Sequence, residues 1–299
     1  MKAGRFGAAG ATMLVAVVTL ATACGAAPDT STAAPPAAPT GDFSYEAFAS
    51  TLLEHVDIYD MVDYGGLVKN RGDLDVFIAL LAILDPAVYE SWDSDEKIAF
   101  WLNAYNALTL RAVVDHYPIE SSAIRSVVYP ENSIRQIPGV WKKLRFRVMG
   151  QDRTLDEIEH EILRVEFDEP RIHMALVCAA KSCPPLRWEP YTGEKLDVQL
   201  EDQIVRFLGH DEKFRLDREG GRVELSPIFK WFGDDFVNVY EPDRGFEGRK
   251  PGQRAVLHFI AVHLEGPDKE FLEQGDYEID YLDYDWSLNE ATPSSEGSS

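Results

Sequence analysis

The fold of this chain is organised around the stretch Asp95-Glu-Lys-Ile-Ala-Phe-Trp-Leu-Asn-Ala-Tyr-Asn-Ala-Leu-Thr-Leu-Arg-Ala-Val-Val-Asp-His116. Residues 98–114 are apolar almost all round, and Arg111 is the only charged residue among them. A surface helix would show one polar face, so this pattern predicts a helix buried in the core. Asp93 is placed to cap its first turn, with Glu96 three residues later completing a capping box.

Two asparagines, Asn103 and Asn106, fall on one face of this helix, and Tyr105 falls on the other. A buried amide without a partner costs about 1–3 kcal/mol, so both amides are predicted to be hydrogen-bonded. A membrane span is not predicted, because these polar residues interrupt a run that is already short for one.

The composition limits the classes of function. The chain has 299 residues, of which 45% are hydrophobic and 11% aromatic, which is enough for a substantial core. A formal net charge of −22 argues against a nucleic-acid partner, because such binding needs Lys and Arg to neutralise phosphates. The acidity also disfavours an electrostatic hold on anionic lipid. No glycine-rich phosphate loop is visible, and no cofactor is predicted.

The N-terminus has the pattern of an export signal. A positive region with Lys2 and Arg5 precedes an apolar region over residues 11–21, and the segment ends in Leu20-Ala-Thr-Ala-Cys-Gly25. This end resembles a bacterial lipoprotein signal, in which small residues precede a lipid-accepting cysteine. Residues 1–23 are therefore predicted to be a signal peptide and Cys24 to be lipidated, which anchors the protein to the membrane of the cell envelope. The alternative is an ordinary signal peptide cut just before the cysteine.

The rest of the chain is predicted to be a tether and one domain. Residues 24–42 are rich in Pro and Ala and cannot bury a core. A single α+β domain is expected over 43–289, with a small, mostly antiparallel sheet packed against the buried helix and further helices, and a disordered tail over 290–299. Periodicity and turn residues predict helices over 44–56, 74–84, 154–165 and 192–208, a short connection over 61–67, short helices from 226 and 251, hairpins over 143–154 and 214–225, and an edge strand within 277–286.

The stretch from Arg171 to Arg187 carries the residues with the most chemistry. Residues 172–178 are apolar on both faces, which predicts an interior strand. In an extended strand His173 and Cys178 point to opposite faces, so a direct dyad would require the strand to end by Val177.

Cys178 and Cys183 leave two alternatives open in an oxidising compartment. One is a local disulfide across the intervening turn, which needs Cα atoms within about 7 Å. The other is a thiolate nucleophile with His173 as its base and with Asn103 or Asn106 fixing the imidazole tautomer. A lone histidine among apolar neighbours is more often a core residue than a base.

Thr154, with Glu157 three residues later, is predicted to form a capping box at the start of a helix that carries further polar residues. Glu157 and His160 are spaced i, i+3 as in some metal sites, but no second such pair exists and no metal is predicted. Glu159 lies at the edge of the apolar stripe. Glu159, His160 and Tyr105 are possible supporting residues of the histidine site. The aromatic residues at 231 and 232 are predicted to be core rather than a ligand platform.

Five motifs occur in order along the chain: Phe100-Trp-Leu-Asn-Ala-Tyr-Asn-Ala-Leu108, Thr154-Leu-Asp-Glu-Ile-Glu-His160, Arg171-Ile-His-Met-Ala-Leu176, Ser182-Cys-Pro-Pro-Leu186 and Ser226-Pro-Ile-Phe-Lys-Trp-Phe232. Together they resemble the domain-of-unknown-function family 547 over about residues 96–236. That resemblance implies no activity, because the family is named for lacking one. A more distant likeness is to papain/transglutaminase-like folds, in which a buried helix faces a sheet that presents a histidine. The helix position of the nucleophilic cysteine in that group corresponds to Asn103 here.

Two functions are therefore expected from the sequence. The first is a non-catalytic binding or scaffold domain for an unknown protein or peptide-like ligand. The second is a thiol-dependent acyl transferase or amide hydrolase. In the second, Cys178 or Cys183 would be the nucleophile, His173 the base, and Asn103 or Asn106 the group that orients it.

Overall fold

The central helix of the fold is the predicted one. A computed structural model describes residues 43–292, so the predicted signal peptide, Cys24, the tether and the end of the tail lie outside the described residues. Helix α5, Ser94–Val114, is buried at every position from Ile98 onward except Arg111. Asp93 caps it by accepting a hydrogen bond from the backbone N–H of Glu96 at 2.9 Å.

The capping box predicted at this helix is only half formed. The Glu96 carboxylate does not return to its own N-cap but accepts the backbone N–H of Gly193 at 2.7 Å and the hydroxyl of Tyr45 at 3.0 Å. Glu96 therefore joins α5 to two distant parts of the chain, a role that local spacing does not reveal.

The described chain is mainly helical, with two small sheets. Its α-helices are α1 (Glu46–His55), α2 (Tyr64–Lys69), α3 (Gly72–Ile83), α4 (Pro86–Glu90), α5, α6 (Leu155–Glu157), α7 (Arg164–Glu166), α8 (Leu196–Leu208), α9 (Pro227–Trp231), α10 (Val237–Tyr240), α11 (Pro251–Val262) and α12 (Gly266–Gln274). Its strands are β1 (Phe146–Val148), β2 (Gln151–Arg153), β3 (Phe214–Asp217), β4 (Arg222–Leu225) and β5 (Glu278–Tyr281). The connection predicted over 61–67 is in part a helix, because Asp63 caps α2 through the N–H of Gly66 at 2.8 Å.

Both predicted hairpins are present. Strands β1 and β2 pair antiparallel, and so do β3 and β4. Strand β5 lies at the edge of the second sheet and pairs parallel to β4, with Arg222 opposite Glu278. Parallel pairing requires a crossover connection, and helices α9 to α12 provide it. The α+β class is confirmed.

Two apolar clusters form the core of the described residues. The larger surrounds α5, and the smaller surrounds α11. The buried residues of the second sheet, Phe214, Val223 and Leu225, belong to the smaller cluster, and α8 contributes to both clusters. Among residues 43–292, no helix is both long enough and apolar enough to span a membrane.

The prediction of a strand over residues 172–178 is wrong. The chain forms a 3-10 helix over Pro170–Met174 and then runs irregularly. Glu169 caps that helix through the N–H of Arg171, and Pro170 sits in its first turn. Within residues 43–292 no strand pairs with this segment, and the N–H of Val177 donates to the side chain of Asn106. The side chain of Asn106 thus satisfies the backbone N–H that a neighbouring strand would otherwise bind.

The C-terminal segment runs along the turn that follows Cys178. Lys181 N–H donates to the carbonyl of Ser287 at 2.9 Å, and Asp285 N–H donates to the Ser182 hydroxyl at 2.9 Å. The chain is still held at Ala291, whose N–H donates to the carbonyl of Val62. This backbone pairing therefore extends past residue 290, and the rest of the predicted tail lies outside the described residues.

Candidate functional site

A cavity of about 330 Å³ opens between the two apolar clusters. Five of the candidate site residues named from the sequence line it, namely His173, Cys178, Glu159, His160 and Tyr105. The complete lining is Tyr105, Arg135, Trp141, Lys142, Asp156, Glu159, His160, His173, Leu176, Cys178, Pro184, Ile228, Trp231, Phe232, Tyr284 and Trp286. Cys183, Asn103 and Asn106 are not among the residues that line it.

Glu159 and His160 lie on one turn of π-helix, Ile158–Leu163, inside the helix predicted from Thr154. The predicted capping box is confirmed. Glu157 N–H donates to the Thr154 hydroxyl at 3.1 Å, and its carboxylate accepts the Thr154 N–H at 2.9 Å. Glu157 therefore serves the helix start rather than the cavity. A π-turn widens the helix and changes the direction of the side chains that follow, and such turns are frequent at functional sites.

His173 is held by the carboxylate of Asp235, which no local sequence pattern indicates. Its Nε2 lies 2.8 Å from Oδ2 of Asp235, and its ring stacks on Phe232 with centroids 4.2 Å apart. Arg164 donates to both oxygens of Asp235, at 2.6 and 2.8 Å. Burial alone would raise the pKa of Asp235, but the hydrogen bonds from Arg164 and His173 hold it well below its ordinary value.

This arrangement fixes the tautomer of His173. Since the ionised Asp235 accepts from Nε2, a neutral imidazole has its proton there and its lone pair on Nδ1. No hydrogen bond to Nδ1 forms within residues 43–292. The histidine is therefore oriented, as the catalytic hypothesis required, but by Asp235.

Asn103 and Asn106 both bind backbone. The amide of Asn103 donates to the carbonyl of Tyr191 at 2.7 Å and accepts its N–H at 2.9 Å. The amide of Asn106 donates to the carbonyl of Ala175 at 3.1 Å and accepts the N–H of Val177 at 2.9 Å. Both were predicted to be hydrogen-bonded, and they are. In the described chain neither amide is bonded to His173.

Cys178 and Cys183 form a disulfide, with Cα atoms 6.0 Å apart. Cys183 is buried, whereas Cys178 is half-buried and reaches the cavity. The hydroxyl of Tyr284 lies 3.4 Å from the sulfur of Cys178 and donates to that of Cys183 at 3.3 Å. Because the residues after His173 are not extended, His173 and Cys178 line the same cavity, contrary to strand alternation. In the disulfide form neither sulfur is a thiolate.

Glu159 lies beside the phenols of the cavity. Tyr105 donates its hydroxyl to the Glu159 carboxylate at 3.2 Å. Burial first, and then the negative charge of Glu159, raise the pKa of Tyr105 and of Tyr284 far above the ordinary value for tyrosine. Both phenols therefore remain protonated at neutral pH and act as hydrogen-bond donors.

Aromatic rings form one wall of the cavity. Tyr284 packs against Trp231 and Trp286, with centroid distances of 4.9 and 4.6 Å. Trp141 meets Trp286 edge-on at 6.0 Å. Trp231 is 49% exposed, so the prediction that this residue belongs to the core is wrong. Two of these rings come from the C-terminal segment, which the cysteine turn holds in place.

Most other charges at the cavity have partners. Lys142 lies 3.5 Å from Asp156 in a salt bridge, and Arg164 lies 2.9 Å from His160. The guanidinium of Arg135 lies 4.4 Å from the ring centroid of Trp286. Within residues 43–292, no group of three His, Cys, Asp or Glu side chains is arranged to hold a metal ion.

Sequence reasoning missed Asp235, Arg164 and the C-terminal aromatic residues. Asp235 is 62 positions from His173, and no local pattern relates them. The only available signal was the acidic and aromatic composition of residues 277–286, which predicted an edge strand and nothing about a site.

The fold and the cavity define a class, an α+β domain that presents an aromatic-lined site with an oriented histidine and a carboxylate. Residues 89–208 match the family model described as protein of unknown function, DUF547, which supports a domain of that family in this part of the chain. No curated protein and no solved structure matches the chain. The match includes His173, Glu159 and both cysteines, whereas Asp235 and the aromatic residues Trp231, Tyr284 and Trp286 lie beyond it.

Proposed function

We propose that this chain is an exported, lipid-anchored protein whose domain binds a peptide-like ligand in the aromatic cavity without a cysteine nucleophile. The observation that carries the proposal is the cavity itself. Its volume of about 330 Å³ falls in the range of small-molecule sites, and it combines apolar rings with a few fixed polar groups. Trp231 lines the cavity and is 49% exposed, so a ligand can reach its ring.

The disulfide supports the non-catalytic form of the proposal. A cysteine nucleophile must be a thiolate, and both cysteines here are linked to each other. Tyr284 bridges the two sulfurs and also forms part of the aromatic wall, so the disulfide supports the shape of the cavity.

The N-terminal sequence supports export and anchoring. Leu20-Ala-Thr-Ala-Cys-Gly25 follows a positive and an apolar region, as lipoprotein signals do. Acyl chains on Cys24 would hold the domain at the membrane without a spanning helix. Growth of an expressing bacterium with an alkyne-tagged fatty acid should label the wild-type chain and not Cys24→Ser. The variant with Cys178→Ser and Cys183→Ser should still be labelled.

Binding is tested with a panel of neutral, Nα-acetylated dipeptide amides and isothermal titration calorimetry. At least one probe should bind the wild-type domain. Trp231→Ala should weaken that binding by about thirty-fold, since an aromatic anchor in a pocket contributes about 2 kcal/mol. Trp188→Ala is the matched control, because Trp188 is 52% exposed and lies outside the cavity. Equal losses in both variants, or no binding by any probe, would refute the proposed site.

A second candidate is favoured by one observation, that Cys178 and His173 line the same cavity. A dithiol would reduce the disulfide and itself become a disulfide. His173 would then take the proton of the Cys178 thiol, and the resulting thiolate would attack an amide carbonyl. The C–N bond would break, the leaving amine would take a proton from His173, and water would hydrolyse the thioester. This is the chemistry of papain/transglutaminase-like enzymes.

The two candidates differ in their response to reductant. For a binding domain, mass spectrometry should show no hydrolysis of the acetylated dipeptide amides, with or without dithiothreitol. Hydrolysis that begins on reduction and is abolished by Cys178→Ser would establish the thiol enzyme instead. Thiol alkylation under native conditions gives a parallel measurement, since the disulfide form should take up no iodoacetamide.

A further inference from the structure

Glu159 is the anion of the cavity that lacks a cation. Its carboxylate accepts one hydrogen bond, from the hydroxyl of Tyr105, and takes part in no salt bridge within residues 43–292. By contrast, Asp156 is paired with Lys142, and Asp235 with Arg164 and His173. The charge of Arg164 acts on Glu159 without a direct contact. A carboxylate that is partly withdrawn from water and contacts no cation keeps a strong attraction for one.

The cations at the cavity are already engaged elsewhere. Arg135 donates to the hydroxyl of Tyr129 at 2.8 Å and lies over three rings, those of Tyr129, Trp141 and Trp286. Lys142 is largely exposed and pairs with Asp156. Neither is bonded to Glu159, so a ligand could take that position without displacing a side chain.

The rings beside Glu159 suit an organic cation. The negative charge of Glu159 helps to raise the pKa of Tyr284, after burial, which is the larger cause. The ring of Tyr284 packs directly on those of Trp231 and Trp286. Aromatic faces attract ammonium and guanidinium groups, most strongly where water is excluded. One such cation–π contact is already present, because the guanidinium of Arg135 lies 4.4 Å from the ring centroid of Trp286.

We infer that the cavity selects peptide-like ligands that carry a protonated amine, with the ammonium against Glu159 and the carbon chain against Tyr284, Trp231 and Trp286. The inference rests on the proposed binding function and names its ligand class. A net charge of −22 on the chain favours the approach of such a cation.

The test compares two probes that differ in one group. One is Nα-acetyl-lysine methylamide, and the other is Nα-acetyl-6-hydroxynorleucine methylamide, which has the same length with a hydroxyl in place of the ammonium. Calorimetry should show the wild-type domain binding the amine probe at least about ten-fold more tightly, as a charge-assisted hydrogen bond and cation–π contact predict. Glu159→Gln should remove this preference, because it should weaken binding of the amine probe far more than binding of the hydroxyl probe.

Glu161→Gln is the control, since Glu161 lies exposed on the same π-turn and does not line the cavity. An amine preference that persists in Glu159→Gln, or equal affinities of the wild type for both probes, would overturn the inference. If the wild type binds both probes equally and Trp231→Ala weakens both, the proposed binding function is still supported, and only the preference for an amine is refuted. If neither these probes nor the neutral dipeptide amides bind, the proposed function fails as well.

Discussion

The Nε2 atom of His173 lies 2.8 Å from Oδ2 of Asp235, and Arg164 binds the same carboxylate through two nitrogens. This relationship joins the 3-10 helix over Pro170–Met174 to the 3-10 helix over Gly233–Phe236. One side of the cavity therefore depends on a charged pair between segments that are far apart in sequence. The pair both orients the imidazole and stabilises the fold.

Asp235→Asn should lower the free energy of unfolding at pH 7 by about 1.5–3 kcal/mol, the usual contribution of hydrogen bonds to a charged group. The folded-state pKa of Asp235 lies below its ordinary value of 3.8, so the stabilisation is complete above that pH. It is lost as the pH falls through the folded-state value. The difference in the free energy of unfolding between wild type and Asp235→Asn, measured with urea, should therefore shrink below about pH 4. Asp234→Asn, at the exposed neighbouring position, should show no such loss.

Asn106→Ala should destabilise the domain by at least about 2 kcal/mol, because the Ala175 carbonyl and the Val177 N–H would both lose their buried partner. Thermal or urea unfolding measures the loss. Asn238 is a matched asparagine on the surface, bonded only weakly to Asp168 at 3.5 Å. Asn238→Ala should change stability by less than about 0.5 kcal/mol. Similar losses in the two variants would mean that Asn106 does not hold this backbone.

Elements with local signals were predictable from the sequence, and those set by distant partners were not. Helix α5 followed from its apolar run, and the start of α6 from Thr154 and Glu157. The segment after Arg171 has the composition of a strand, yet it has no neighbouring strand to pair with. Asn106, 71 residues away from Val177, supplies the pairing instead.

The candidate site shows the same division. The sequence identified five lining residues as candidates, because their side chains carry reactive or polar groups: Tyr105, Glu159, His160, His173 and Cys178. It did not identify Asp235, since an acidic residue in an acidic chain carries no distinguishing signal. It also assigned the orienting role to Asn103 or Asn106, whose amides are used by the backbone.

Loss of the disulfide should lower stability moderately without unfolding the domain. The cysteines are 5 positions apart, and closing so short a loop in the unfolded chain is worth about 2 kcal/mol in the chain-entropy model. The variant with Cys178→Ser and Cys183→Ser should therefore unfold at lower urea concentration. Wild type measured in dithiothreitol should match that variant. If reductant leaves the wild-type midpoint unchanged while mass mapping shows free thiols, the disulfide contributes nothing to stability.

Glu290 should control the ionisation of Tyr117, which donates its hydroxyl to the Glu290 carboxylate. This hydrogen bond, together with partial burial and the negative charge of Glu290, raises the pKa of Tyr117 to about 12. Glu290→Gln removes the charge that opposes phenolate formation, so the pKa should fall toward the ordinary value of 10.0. NMR titration of ring-labelled tyrosine follows this single phenol, with Tyr117→Phe assigning its signal. The exposed Glu131→Gln is the control and should leave the signal in place. An unchanged Tyr117 pKa in Glu290→Gln would show that the chain beyond Asn289 is not held against this tyrosine in solution.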